Sequence, residues 1–430
     1  MKYLITGFIL CSIFSCRHQN QNIVDTFFID SLVEHYSEPA AVKNNNAEIL
    51  FWKSRINPNN PGIVNESKYA GNLIRRFQLS GDIMDVKTAD SLLLKIDTVF
   101  NHKEASPMLS MVSHCILQHR FNEANNYLQK ALLIGIKPYE MHCSKFDVYL
   151  ELGQYKFAEV SLNAIKSEND FGYKFRQSKW EHYEGNFDSS IAAMQKAVDL
   201  SGNDLGSKQA ALSNLGDLNL HNGDMQTAND LYVKSIKIDA SDLHSLIQLG
   251  WIALVHDKKD TLAEKIFQFV QTKTKSPDPL YKLIFVAEQR GDSVKERELA
   301  NDFVTKVTDS IYGNMYNKYL IELYADVLNE PGKAEALSKK ELDNRSTPQT
   351  YAWYSYSLFK NGKGEQAFSI YQQHITGKPL EALELYWIGK MMKGLNKGYN
   401  AIEYLKAAKQ NKYDLSPAKI KDIEETKSLK

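Results

Sequence analysis

Hydrophobic and small residues recur at helical spacing along most of the chain, and residues 209–242 show the pattern most clearly. Leu212 and Leu215 lie three residues apart, which places them on one face of a helix. The sequence Asn222-Gly223-Asp224 interrupts this helix, because glycine commonly ends a helix and aspartate caps the next one. From Ala228 onward the helical spacing resumes. The stretch therefore predicts two short amphipathic helices joined by a tight turn.

The same pattern returns with a fixed period of 34 residues. Leu215-Gly216 is matched by Leu249-Gly250, and Leu249 is matched in turn by Leu283. A constant period of this size is typical of stacked repeats, in which each unit buries its apolar face against its neighbours. The spacing predicts an all-α array of about ten helix pairs over residues 63–408.

The repeated unit resembles the tetratricopeptide repeat (TPR). The resemblance lies in Leu-Gly on the first helix, Gly-Asp at the turn, and small and aromatic residues on the second helix. It implies a right-handed α-α superhelix that acts as a scaffold for protein binding. A repeat array needs a polar cap on its last unit, and the charged residues 409–430 are predicted to form a capping helix.

The first residues have the features of a bacterial export signal. An apolar run, YLITGFILCSIFS, follows Met1-Lys2; it is shorter than the roughly 20 residues that cross a bilayer. Ile13-Phe14-Ser15-Cys16 resembles a lipobox, which implies cleavage after residue 15 and palmitoylation and related acylation of Cys16. We expect residues 1–15 to be a lipoprotein signal peptide and residues 16–62 to be a tether with a weak helix. An ordinary secretory signal is the alternative.

Composition and motifs argue against catalysis and nucleic-acid binding. The chain has 52 basic and 52 acidic residues, so no overall positive field favours nucleic acid. It contains no glycine-rich phosphate loop, no GxSxG and no HExxH sequence, and these motifs carry much of known enzyme chemistry. The sequence predicts a protein without catalytic activity and without a cofactor.

One group of metal-ligating residue types occurs in two neighbouring units. It comprises His114, Cys115, His119, His142 and Cys143. Cysteine and histidine bind zinc, but this spacing matches no known zinc motif. A metal site, a Cys115–Cys143 disulfide and plain packing all remain open, and packing is favoured because buried free cysteine behaves as a small hydrophobe.

The resemblance also implies which residues face the concave groove of the superhelix. Aromatic side chains at such positions suit a protein or peptide partner, and the basic clamp that binds acidic peptide termini in this family is absent. The implied groove positions are Phe175, Lys179, His182, Tyr183, Asp217, His221, Ile247, Trp251, Leu254, Tyr281, Phe285, Tyr319, Leu323, Tyr356 and Phe359.

Together these features predict a lipid-anchored scaffold in the bacterial cell envelope. Arg17 is not the aspartate that retains lipoproteins in the inner membrane, which favours the outer membrane with the protein facing the periplasm. The alternative is a SusD-like lipoprotein that binds oligosaccharides. That family also has a TPR-like core, and it predicts long insertions that form an aromatic sugar-binding platform.

Overall fold

A computed structural model describes residues 22–308 and 310–426, and this part of the chain contains no β-strand. The first half of the helices are α1 (Thr26–Glu34), α2 (Ala40–Ser54), α3 (Ile63–Ser80), α4 (Ile83–Val99), α5 (Ala105–Leu117), α6 (Phe121–Ile134), α7 (Pro138–Glu151), α8 (Tyr155–Ala164), α9 (Phe171–Tyr183), α10 (Phe187–Leu200), α11 (Leu205–His221) and α12 (Met225–Ile238).

The remaining α-helices are α13 (Leu243–Val255), α14 (Asp260–Gln271), α15 (Asp278–Arg290), α16 (Ser293–Val307), α17 (Asn317–Glu322), α18 (Pro331–Asn344), α19 (Pro348–Lys360), α20 (Gly364–His374), α21 (Ala382–Gly394), α22 (Gly398–Gln410) and α23 (Pro417–Glu425). Short 3-10 turns span Ser310–Tyr312 and Lys412–Asp414, and a π-helical turn, Leu323–Val327, continues α17.

Helices α3 to α22 pack as ten consecutive pairs, each against the next. The predicted all-α array of helix pairs is confirmed. Residues 209–242 supply most of α11 and the whole of α12, and the turn between these helices is the one that the sequence indicated. Asp224 accepts a hydrogen bond from the Thr227 backbone N–H and so caps α12, as the sequence pattern requires.

The repeated glycines lie where neighbouring helices touch. A Cβ built on Gly250 would lie 2.6 Å from Cε1 of Phe267, and one on Gly389 would lie 2.7 Å from Cγ of Leu405. Contacts this short do not occur between real side chains, so glycine is what allows the two helices of a pair to approach.

The array also closes on itself. The backbone N–H of Lys275 donates to the carbonyl of Ser80, and that of Asn314 donates to the carbonyl of Gln118. Farther along, the Phe121 N–H donates to Asn344 Oδ1 at 3.1 Å. These bonds join residues separated by about 195 to 223 positions. The inner face, which is lined mainly by the first helix of each pair, is therefore the inside of a closed array and not one side of an open superhelix.

The N-terminal helices belong to the folded body. The backbone N–H groups of Ile23 and Val24 donate to the buried carboxylate of Asp257, and Ile29 of α1 is fully buried in the main core. Helix α2 packs on α3. The predicted tether, residues 16–62, is thus folded from Ile23 onward, whereas the predicted signal peptide and Cys16 lie outside the described residues.

The C-terminal end packs against the inner face. Residues 411–426, here called the C-terminal segment, contact α11, α15, α21 and α22. Leu415, Ile420 and Ile423 are at most 2% exposed and join the main hydrophobic core. The predicted capping helix therefore begins at Pro417, and it fills part of the inner face as well as covering the last unit.

Candidate functional site

The inner face contains three adjoining cavities. The largest, about 810 Å³, lies between α7, α9 and α21. The second, about 640 Å³, lies between α11, α13, α15 and α17. A small cavity of about 180 Å³ lies between them and shares lining residues with both, including His221 and Lys318 with the first and Lys282 and Tyr319 with the second. The three form one connected candidate binding region.

A lysine held between two carboxylates lines the largest cavity. Lys318 Nζ lies 3.0 Å from Glu381 Oε2 and 3.1 Å from Glu384 Oε1. The charge of Lys318 lowers the pKa of Glu381, a partly exposed carboxylate, to about 2. Glu384 is fully buried and also accepts a hydrogen bond from Nε1 of Trp353 at 2.6 Å. The wall of the cavity is therefore charged, with one ammonium group shared between two carboxylates.

A histidine links this cavity to the C-terminal segment. His221 Nδ1 lies 2.8 Å from Asp414 Oδ1, and its ring stacks on that of His182. Burial opposes the charged imidazolium, but Asp414 outweighs it and raises the pKa of His221 to about 9. At neutral pH the pair is a charge-assisted bond that holds the beginning of the C-terminal segment.

An aspartate organises the second cavity. Asp217 accepts a hydrogen bond from the Tyr232 hydroxyl at 2.7 Å and lies 3.0 Å from His244 Nε2. Burial disfavours the carboxylate, but His244 keeps the pKa of Asp217 below its ordinary value. Against the same burial effect, Asp217 raises the pKa of His244 to about 9.

Aromatic side chains surround a lysine at the small cavity. Lys282 Nζ lies 3.7 Å from the ring centroid of Trp251, and burial lowers the pKa of this lysine to about 8. Trp251 itself donates from Nε1 to the carbonyl of Tyr413 at 2.8 Å. The indole thus holds the C-terminal segment on one side and a cation on the other.

The structure places some of the predicted groove residues together around the three cavities. The residues that line one or more of the three cavities are Lys179, His182, Tyr183, Asp217, His221, Ile247, Trp251, Tyr281, Phe285 and Tyr319.

The other proposed groove residues lie elsewhere. Leu254 and Leu323 are fully buried in the main core, and Tyr356 stacks on Trp387. Phe359 packs where a Cβ on Gly394 would sit, and Phe175 packs beside Phe171. These five side chains fill the spaces between repeats and line none of the three cavities, because apolar groups at the seams are withdrawn from water.

Several charged residues of the site escaped the sequence analysis. Lys318 and Glu322 lie in α17, the short first helix of the eighth pair, Glu381 lies in the turn before α21, and Lys419 lies in the C-terminal segment. In the sequence these residues cannot be distinguished from charged residues on solvent-exposed helix faces. One weak signal was present, because the charged C-terminal residues include apolar positions such as Leu415, Ile420 and Ile423.

The histidine and cysteine cluster is dispersed by the fold. Cys115 and Cys143 are both free and buried, so they form no disulfide. Burial raises the pKa of Cys115 to about 12 and lowers that of His119 to about 4. His114 pairs with Asp90 at 2.7 Å. Within residues 22–308 and 310–426, no three His, Cys, Asp or Glu side chains are grouped as metal ligands would be.

The ion pair between His221 and Asp414 should make the stability of the folded protein depend on pH. The pKa of His221 is about 9 when folded and 6.5 ordinarily. The folded state therefore binds the proton more tightly, so the stabilisation is complete below pH 6.5 and disappears as the pH rises through 9. The facing groups are Asp414, Glu381 and Asp217, which favour the charge, and His182, whose ring stacks on that of His221 and is repelled by its charge.

We expect His221→Gln to lower the free energy of unfolding by about 1 kcal/mol at pH 6, allowing for the partial exposure of the ring. At pH 9.5 the wild type and this variant should be nearly equal in stability. Urea unfolding followed by circular dichroism at both pH values measures this, and His35→Gln, at an exposed position, is the control. A deficit of equal size at both pH values would show that the charge on His221 is not involved.

Comparison with known proteins finds similar solved structures, but no match that assigns the chain to a family. No protein-family model matches the sequence, and no curated protein matches it. Among solved structures, the chain is similar to pilF of Pseudomonas aeruginosa, with 12% identity, a TM-score of 0.36, and coverage of 51% of this chain and 99% of that one. It is also similar to a tetratricopeptide repeat protein from Parabacteroides merdae, with 16% identity, a TM-score of 0.34, and coverage of 66% and 97%.

A third similar structure is the TPR domain of P58(IPK), with 10% identity, a TM-score of 0.24, and coverage of 93% of this chain and 97% of that one. The fold assignment rests on the chain itself: ten stacked helix pairs, with glycines where the helices cross and a 34-residue sequence period. These features define an all-α solenoid of TPR-like helix pairs.

Proposed function

We propose that the protein is a non-catalytic, lipid-anchored scaffold that binds a polypeptide partner at its inner face. One observation carries this proposal: the inner face already binds a polypeptide, its own C-terminal segment, and does so through backbone groups. Trp251 donates to the Tyr413 carbonyl, and Glu288 accepts from the Ala418 N–H. Directly beside this segment, the largest cavity remains open to a partner.

The lining of the largest cavity suits a segment with mixed polar and aromatic character. The rings of Tyr155 and Tyr183 stack at 3.9 Å between centroids, and both line the cavity. Rigid aromatic side chains supply contact area at small entropic cost. The exposed lysines 179 and 378 line the same cavity, and they supply positive charge for acidic side chains of the partner.

The proposed anchor places the array close to a membrane. Cys16 is the expected lipid attachment point, and the folded body begins at Ile23. The intervening residues can span at most roughly 20 to 25 Å, at about 3.3 to 3.6 Å per residue. Within the described ranges, none of the helices has both the length and the apolar character needed to cross a bilayer. We propose attachment to the outer membrane, facing the periplasm.

Site-specific photo-cross-linking tests this proposal in whole cells. With p-benzoylphenylalanine at position 179, in the cavity, we expect one discrete protein adduct in the membrane fraction. The same probe at position 156, which is exposed on α8 and lines none of the three cavities, is the control. The Cys16→Ser form of the position-179 variant should carry the adduct into the soluble fraction.

Equal labelling from positions 179 and 156, or labelling from neither, would contradict partner binding in the cavity. Membrane retention of the Cys16→Ser chain would contradict the lipid anchor. The SusD-like alternative predicts long insertions, and the longest inter-helix connections among the described residues have eight or nine residues, at 55–62 and 308–316. No specific observation therefore favours it.

A further inference from the structure

The C-terminal segment begins its helix with a cap that comes from the array. Ser416 occupies the N-cap position of α23, but its side chain makes no capping bond. Instead, Glu288 of α15 accepts from Ser416 Oγ with one carboxylate oxygen and from the Ala418 N–H with the other, both at 3.0 Å. A carboxylate at a helix N-terminus is favoured by the helix dipole and by the free N–H groups there.

One lysine of this segment enters a site with two carboxylates. Lys419 is 6% exposed, and its Nζ lies 2.8 Å from Glu322 Oε1 and 3.3 Å from Asp326 Oδ2. Aromatic donors hold both carboxylates in place. Tyr281 donates to Glu322 at 2.5 Å, and Trp387 donates to Asp326 at 2.9 Å.

Two acidic residues meet there because they are four positions apart in the chain. Glu322 ends α17 and Asp326 lies within the π-helical turn Leu323–Val327, and residues at this spacing are neighbours on one helix face. Both carboxylates consequently reach the same ammonium group. Such turns occur frequently at functional sites.

This arrangement favours selectivity over stability. Burying three charges costs desolvation energy that apolar packing of similar volume would avoid. The charges do, however, discriminate strongly between segments, because a segment without the lysine leaves the buried carboxylate of Glu322 without its cation and leaves Asp326 with only Lys360, at 3.6 Å. The segment follows the last helix pair, so it can leave without breaking a repeat.

We propose that Glu288, Glu322 and Asp326 form a peptide-binding site for a partner segment that begins a short helix and carries a lysine. The pattern is a hydroxyl residue at the helix cap, a lysine three positions later, and apolar residues four and seven positions after the cap. The C-terminal segment is the internal occupant, and a partner with this pattern replaces it. This inference rests on the proposed binding of a polypeptide at the inner face and specifies the chemistry of that polypeptide.

The test uses the full chain and a fluorescent peptide with the sequence of residues 411–426. Wild-type protein should not bind micromolar peptide, because the tethered segment has an effective concentration near millimolar. Lys419→Met should release its own segment and bind the peptide. A peptide with methionine at the position of Lys419 should bind at least tenfold more weakly, as measured by fluorescence anisotropy.

A matched control lies on the same helix. Lys421 is 75% exposed, so Lys421→Met should behave as wild type and bind no peptide. If Lys419→Met takes up neither peptide, or both equally, the lysine pattern is wrong and the C-terminal segment is a fixed cap.

A second measurement does not depend on the folding of a variant. Millimolar peptide should accelerate hydrogen exchange of residues 412–425 in wild-type protein and leave α3 to α6 unchanged. Unchanged exchange at saturating peptide would overturn the proposed replacement. A failure here, together with specific cross-linking from position 179, would remove this inference and leave the proposed function intact.

Discussion

Lys318→Met is expected to lower the free energy of unfolding by about 3 kcal/mol at pH 7. Removing one partner of a buried ion pair leaves the other charge uncompensated, which costs roughly 3–5 kcal/mol, and the lower value applies because Lys318 is 29% exposed. The uncompensated groups are Glu384, which is fully buried, and Glu381. Urea unfolding followed by circular dichroism gives the free energy directly.

Two controls separate the charge of Lys318 from its packing. The double variant Lys318→Met/Glu384→Gln should recover a large part of the loss, because glutamine still accepts the hydrogen bond from Trp353 and carries no charge. The loss should also depend on pH. Lys318 holds the pKa of Glu381 near 2, below its ordinary 4.5; this stabilisation is therefore present above pH 4.5 and is lost as the pH falls toward 2.

The difference between wild type and Lys318→Met should accordingly shrink on acidification. A single variant as stable as wild type at pH 7, or a double variant less stable than the single one, would show that the ion pairs do not organise the cavity wall.

Gly250→Leu is expected to destabilise the protein by about 3 kcal/mol, near the upper end of the usual cost of overpacking. The first added carbon would already lie 2.6 Å from Phe267, whose side chain is fully buried, and 3.1 Å from Ile266. Neither neighbour can move without disturbing the next helix pair. Thermal and urea denaturation should agree on the size of the loss.

Gly71→Leu is the matched control, since Gly71 also lies inside a helix and a Cβ added there would meet no neighbouring atom within 4 Å. Leucine should be neutral there or stabilising by up to about 1 kcal/mol, because it favours the helix more than glycine does. The same sign of effect at both positions would mean that the crossing of α13 and α14 is looser than its geometry indicates.

The sequence was sufficient for the helix pairs because their determinants are local. Gly216 recurs 34 residues later as Gly250, and each reports a contact between the two helices of a pair. The positions of His182, His221 and Trp251 within their repeats also indicated that these residues lie at the inner face. A periodic pattern carries this information because every unit repeats the same packing problem.

The closure of the array could not be predicted from the sequence in the same way. The contacts that close the array, such as Ser80 with Lys275 and Phe121 with Asn344, occur once and have no periodic signature. The prediction of the groove residues assumed an open superhelix. It therefore could not anticipate that Trp251 is covered by the C-terminal segment, or that Tyr356 is withdrawn into a seam.

The closing contacts between residues some 200 positions apart have a consequence for how the chain folds. In an open solenoid each repeat contacts only its neighbours, so folding can begin anywhere and spread unit by unit. Here the first two pairs share hydrogen bonds with the turn before the seventh pair and with the eighth pair and the turn that precedes it, which raises the mean sequence separation of contacts and slows folding. Early pairs are thus coupled to late ones, so the loss of the first pair should weaken distant repeats as well as adjacent ones.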